Sequence, residues 1–121
     1  MDKDKKETLR GILIRPDTAE ISEVEVPKGE GQLQAIYDLL GVDLITCVAY
    51  SEDCREETVY VDDEGLLKEP HLFFKVPFVE GHQWLAGSGL ILGTDFETGE
   101  SISSALPLER VQREVTFGYA L

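Results

Sequence analysis

The chain has 121 residues, 42% of them hydrophobic, which suits one globular domain with a core of its own. Its 24 acidic residues against 11 basic ones give a formal net charge of −13. That balance repels nucleic acid and anionic membranes and leaves basic protein surfaces as partners. No apolar run reaches the length of a membrane-spanning helix. The mixed-charge start Met1-Asp2-Lys3-Asp4-Lys5-Lys6-Glu7 lacks the hydrophobic stretch of a signal peptide, so a cytoplasmic location is expected.

In chain order, residues 1–7 read as a flexible N-terminus and residues 8–121 as a single α+β domain. Thr8 to Arg15, with Ile12-Leu13-Ile14, predicts a buried first strand; Pro16-Asp17-Thr18 is a turn signal, and Ala19 to Val26 returns as the second strand of a hairpin. The alternation slips there, since Ile21 is odd-numbered and Val24 and Val26 are even-numbered, so a bulge near Ser22 or Glu23 is expected. Leu33, Ile36, Tyr37 and Leu40 follow the i, i+3, i+4, i+7 spacing of one helix face, and Gly41 stops the helix.

Leu44 to Tyr50, nearly all apolar, predicts a central strand, and Glu57 to Val61 its partner, joined by a polar loop from Ser51 to Glu56. Cys47 lies in the apolar run and reads as a core thiol; Cys54 lies in the polar stretch and reads as exposed, so no disulfide between them is expected. Asp62-Asp63-Glu64-Gly65 closes the pair in a turn. Pro70 and Pro77 bracket Leu72 to Val76, which reads either as a short strand or as an irregular loop over the core. Glu80 to Trp84 reads as loop, Gly89 to Gly93 as a glycine-flanked strand, Asp95 to Glu100 as a hairpin tip and Ser101 to Ala105 as the returning strand. Pro107 opens a short helix through Val111, and Val115 to Tyr119 is a last strand. The sum is an α+β fold: a small twisted, mainly antiparallel β-sheet with one or two short helices.

These pieces resemble a domain-of-unknown-function family, serial number 3846, found in phages, plasmids and the bacteria that carry them. The resemblance rests on the opening strand pair from Gly11 to Pro27, the helix end Leu39-Leu40-Gly41, the segment Tyr60-Val61-Asp62-Asp63-Glu64-Gly65-Leu66-Leu67-Lys68, and the run Leu85-Ala86-Gly87-Ser88-Gly89-Leu90-Ile91-Leu92-Gly93. It implies an α+β fold and a mobile-element setting, and it supplies no catalytic residues. Where members carry an asparagine after the Leu-Lys segment, this chain has Glu69-Pro70-His71.

Motifs with known chemistry are missing. Asp62-Asp63-Glu64-Gly65 lacks the ligand spacing of a calcium loop, and Asp95, Glu97 and Glu100 read as an exposed turn rather than a catalytic carboxylate pair. His71 and His82, eleven positions apart, do not match a zinc site, and Gly87-Ser88-Gly89 is neither a nucleophile elbow nor a phosphate loop. No metal and no cofactor is therefore expected. One constellation does point to binding. Lys68, His71, Lys75, His82 and Trp84 gather cations and the only tryptophan in one stretch of an acidic chain. Cations beside an aromatic ring can hold a phosphate and stack a base. The acidic run from Glu52 to Glu69 has a second reading, as an imitation of the phosphate line of DNA.

The expected function is a non-enzymatic binding protein of phage or mobile-element type. It would occupy a host or phage protein or sequester a small anionic ligand, in the service of resisting host defence. A nucleotide-sequestering sponge, an acidic nucleic-acid mimic and an unrecognised enzyme stand as alternatives. Neither nucleic acid nor membrane is expected as a direct partner. A homodimer is expected to form along the weakly charged edge from Val115 to Tyr119.

Overall fold

In the computed structural model, which describes residues 7–51, 54–64, 72–76 and 84–119, the opening hairpin pairs Thr8–Arg15 (β1) with Glu20–Pro27 (β2). The ladder runs unbroken from Thr8↔Pro27 to Arg15↔Glu20, so the expected bulge is absent. Its absence has a simple cause. Ile21 packs into one hydrophobic cluster while Val24 joins the other, with Val26 fully buried beside it. A strand covered on both faces can place apolar residues at odd and even positions alike.

The helix Gln32–Leu40 (α1) follows, and its C-terminus ends at Gly41, whose φ of 67° lets its N–H reach the Tyr37 carbonyl. Ile36 and Leu40 are buried, flanked by partly buried Ala35 and Leu39. The buried stripe is thus turned slightly from the expected one: Leu33 is 54% exposed. On the solvent side Gln34 donates to Asp38 at 2.9 Å. Burying an aliphatic side chain of this kind contributes about 1.5–3 kcal/mol.

The strands Ile45–Ser51 (β3), Cys54–Asp62 (β4), Gly89–Thr94 (β7) and Ser101–Ile102 (β8) complete a six-stranded antiparallel sheet in the order β2-β1-β7-β4-β3, with β8 beside β7. The expected loop from Ser51 to Glu56 shrinks, because both strands run past the apolar segments that announced them. Three further strands, Leu72–Lys75 (β5), Leu85–Ala86 (β6) and Thr116–Tyr119 (β9), form a second sheet in the order β6-β5-β9. Leu72 to Val76 is therefore a strand rather than a covering loop over Leu72–Lys75. The helix Leu108–Glu114 (α2) begins directly after Pro107 and runs three residues beyond the expected Val111.

Two cores result. Leu9, Leu13, Leu90 and Leu92 of the main sheet meet α1 on one face. On the other, Ile12, Ile14, Val59 and Ile91 meet Phe74, Leu85 and Val111 of the small sheet and α2. The fold is α+β with antiparallel pairing throughout the described ladders. No helix among the described residues is long and apolar enough to cross a membrane. Of the N-terminus expected to be flexible, residues 1–6 lie outside the described residues.

β3 corrects the reading of the central strand. It is an edge, paired to β4 alone among the described strands, and β7 takes the centre. An apolar run marks a strand but not its place in the sheet, and an edge strand leaves part of its surface uncovered. Cys47 is consequently exposed, not a core thiol. It should be alkylated in the native protein within about tenfold of its rate in the urea-unfolded chain, because an exposed thiol is not protected by packing. Mass spectrometry of the Cys47 peptide checks this; protection by several orders of magnitude would contradict the edge assignment.

Candidate functional site

The candidate site is built by the period of two along β5. Phe74 is fully buried and Val76 nearly so, both facing the main sheet. The alternation turns Phe73 and Lys75 to the opposite, outer face. In the neighbouring strand Gly118 stands across from Phe73 and Thr116 across from Lys75, so these share the outer face.

Trp84 lies immediately before β6 and completes this face. A Cβ placed on Gly118 would come within 3.2 Å of Trp84 Cζ3 and 3.3 Å of Cη2, so the indole rests where Gly118 lacks a side chain. Glycine inside a strand commonly marks such a close approach. The ring is 44% exposed, and Lys75 Nζ lies 5.1 Å from its centroid. A cation over an exposed ring gains about 0.5–1 kcal/mol. The pair therefore holds a positive charge at a partly exposed aromatic ring, in a chain whose net charge is −13.

Of the five residues singled out in the sequence, the structure brings Lys75 and Trp84 together. Lys68, His71 and His82 lie outside the described residues. Gly118 was not foreseen. Its one signal is its place within the short strand Phe117-Gly118-Tyr119.

Glu57 was also missed, and it does different work. It is only 6% exposed, although it belongs to the acidic run. The Ser104 hydroxyl donates to its Oε1 at 2.6 Å and the Ala105 N–H to its Oε2 at 2.9 Å. The Leu106 N–H in turn donates to Ser104 Oγ at 3.2 Å. From the β1 side, the Arg10 guanidinium donates to the carbonyls of Ser104 and Leu106 at 3.1 and 2.8 Å, and to Glu23 at 2.8 Å. That hydrogen bond and charge hold the Glu23 carboxyl below its ordinary range, against a smaller effect of desolvation. Residues 103–106 are thus clamped by Glu57 and by Arg10, whose carbonyl also accepts the Ser104 N–H at 2.8 Å, and β8 ends at Ile102 rather than running to Ala105. Both Glu57 oxygens hold chain, and the Ser104 oxygen already accepts a backbone N–H. The arrangement is a structural clamp rather than a nucleophile and its base.

A recess of about 330 Å³ adjoins the clamp, between Glu57, Ala105, Pro107 and Arg110. Behind it Tyr50 donates to Glu114 at 2.7 Å, and Arg110 Nε meets the same carboxylate oxygen at 3.1 Å. The remaining carboxylate motifs are turns, as expected. Asp62 Oδ1 accepts the Glu64 N–H and Asp95 Oδ1 the Glu97 N–H, each at 2.9 Å. The acidic row itself is interrupted, since Glu57 faces the interior while Glu56 is exposed.

Against known families, residues 9–116 match the model described as Domain of unknown function (DUF3846). No curated protein and no solved structure matches the chain.

The seat of Trp84 gives a direct test. Gly118→Val should lift the indole, shift its emission to the red and speed quenching by acrylamide, since the added methyl groups occupy the ring's place. Unchanged emission and quenching would show that Trp84 does not rest on Gly118.

Proposed function

The chain belongs to the family Domain of unknown function (DUF3846), whose description names no activity, and we propose from the site itself that it is a non-enzymatic binding protein seating a small anionic ligand on the outer face of the small sheet. The observation that carries this reading is Lys75 Nζ held 5.1 Å from the centroid of a half-open Trp84 ring. An anion approaching a chain of net charge −13 needs a local positive potential, and Lys75 supplies one. A planar group stacked on the indole would add about 1–3 kcal/mol, as bases do on aromatic side chains. A phosphate joined to an aromatic base combines both contacts, so nucleotides are the ligand class that fits best.

The rigid support beneath the face suits retention rather than turnover. Phe74, on the same strand as Lys75, is locked in the core, and the polar clamp around Glu57 is occupied with holding chain. In the mobile-element setting that the family resemblance implies, such a protein would withdraw a signalling nucleotide or occupy a host factor, acting in the cytoplasm.

Trp84 is the only tryptophan, so its fluorescence reports directly on the site. Titration with a panel of mono-, di- and cyclic nucleotides should give saturable quenching with at least one, which is then recovered chemically intact. Lys75→Ala should weaken that binding by about tenfold or more, the loss expected for one charge-assisted contact, while the melting temperature falls by only a few degrees, as loss of the cation–ring contact requires. No quenching and no thermal shift across the panel, or equal binding by Lys75→Ala, would contradict the proposal.

A further inference from the structure

We propose that the outer edge of β3, the last of the described strands in the main sheet, is a docking site for an extended segment of a partner protein, uncharged through its middle and carrying Lys or Arg at both ends, which joins the main sheet as an added strand. The first observation is the contrast between the two edges of that sheet. β2 is guarded by Glu20, Glu23 and Glu25 and closes on Pro27, the charges and proline that keep foreign strands away. β3, Ile45–Ser51, carries no charge and no proline. Among the described strands it pairs only with β4, and no described strand lies along the other side of its regular stretch from Ile45 to Ala49.

The side chains along this edge suit such an addition. Thr46, Cys47 and Ala49 are exposed, and Leu44, just before the strand, is 49% exposed. Thr46 stands across from Val61 and Cys47 from Tyr60, so exposed positions occur on both faces of the strand. The register stays regular from Ile45 to Ala49, and the irregularity between Ala49 and Ser51 sets the far limit of the docking length. Main-chain hydrogen bonds would supply affinity, and the alternating side chains would supply selectivity.

Charge identifies the occupant. The neutral strip lies between acidic ends. Exposed Asp43 and Asp63 stand near Ile45, the latter donating its N–H to the Leu44 carbonyl at 3.0 Å; exposed Glu56 lies on β4 toward the other end. A second copy of this chain would bring the same acidic ends and its own net charge of −13. Like charges set opposite one another in a sheet are destabilising, whereas lysines or arginines at the ends of an entering strand are attracted at both. The complementary occupant is therefore a basic-flanked strand of another protein. This inference uses none of the residues of the Lys75–Trp84 face and stands or falls apart from it.

The test uses the whole protein and a fluorescent peptide, Lys-Lys-Val-Thr-Val-Thr-Val-Lys-Lys. Fluorescence polarisation should show saturable binding. The double variant Thr46→Lys/Ala49→Lys, confirmed as folded by its melting curve, should bind at least about tenfold more weakly, because edge lysines block strand addition and repel the basic ends. A peptide with proline at its centre and one with glutamates at its ends should both fail. A register measurement keeps the proposal falsifiable should the double variant not fold. A peptide whose central residue is a cysteine activated as a mixed disulfide should exchange with Cys47 faster than one activated at its terminus. The proposal is overturned if the basic peptide does not bind, if the proline peptide binds equally, or if the folded double variant binds normally. It is also overturned if sedimentation shows a dimer that the double variant abolishes, which would make a second copy the occupant.

Discussion

The Phe74 ring lies where β7 has no side chain. A Cβ on Gly89 would come within 2.9 Å of Phe74 Cε1 and closer still to Cζ, so the ring and a larger residue at 89 exclude each other. Phe74 is fully buried, and it draws the small sheet down onto the main one. An aromatic side chain of this size contributes more buried surface than any aliphatic neighbour. Once Phe74 is fixed inward, the pleat leaves Lys75 no choice but the outer face, and the register with β9 sets Gly118 on the same side. The binding face is thus a consequence of a core contact one residue away from it.

The same contact explains why the main sheet is apolar on both sides. β7 is buried along Gly89–Gly93, with Ile91 facing the small sheet and Leu90 and Leu92 facing α1. Such a strand reads as a continuous hydrophobic run rather than an alternation. The run at β7 was legible for that reason, as were β1, α1 with its glycine stop, and the helix after Pro107. Ile21 and Val24 were individually legible as apolar. Their opposite orientation could not be understood until both faces of the sheet were known to be covered.

What sequence left hidden is of one kind: the identity of spatial neighbours. Leu44 to Tyr50 and Gly89 to Gly93 look alike as apolar runs, yet one is an edge and the other the centre, because strand order is decided by pairing and not by composition. Glu57 looks like any member of its acidic run until residues 104 and 105, 47 and 48 positions later, present a hydroxyl and an N–H to it. Burial of a carboxylate at such a place is favourable because both oxygens are satisfied. Lys75 and Trp84 were chosen by composition, as cations near the only tryptophan, and their proximity in space comes from the antiparallel pairing of β5 with β6. Gly118, which makes room for the indole, carried almost no signal, since a glycine near a chain end has many ordinary explanations.

A double-mutant cycle on Gly89 and Phe74 addresses the contact that supports this account most directly. Denaturant unfolding of the wild type, Gly89→Ala, Phe74→Leu and the double variant, followed by Trp84 fluorescence, yields the coupling between the two positions. Overpacking at a filled site destabilises by about 1–3 kcal/mol, so Gly89→Ala should be costly beside phenylalanine and much less so beside leucine. A coupling of about 1 kcal/mol or more is the expected result. Additive effects within about 0.3 kcal/mol would show that Phe74 does not occupy the space over Gly89, and that something else holds the small sheet and its outer face in place.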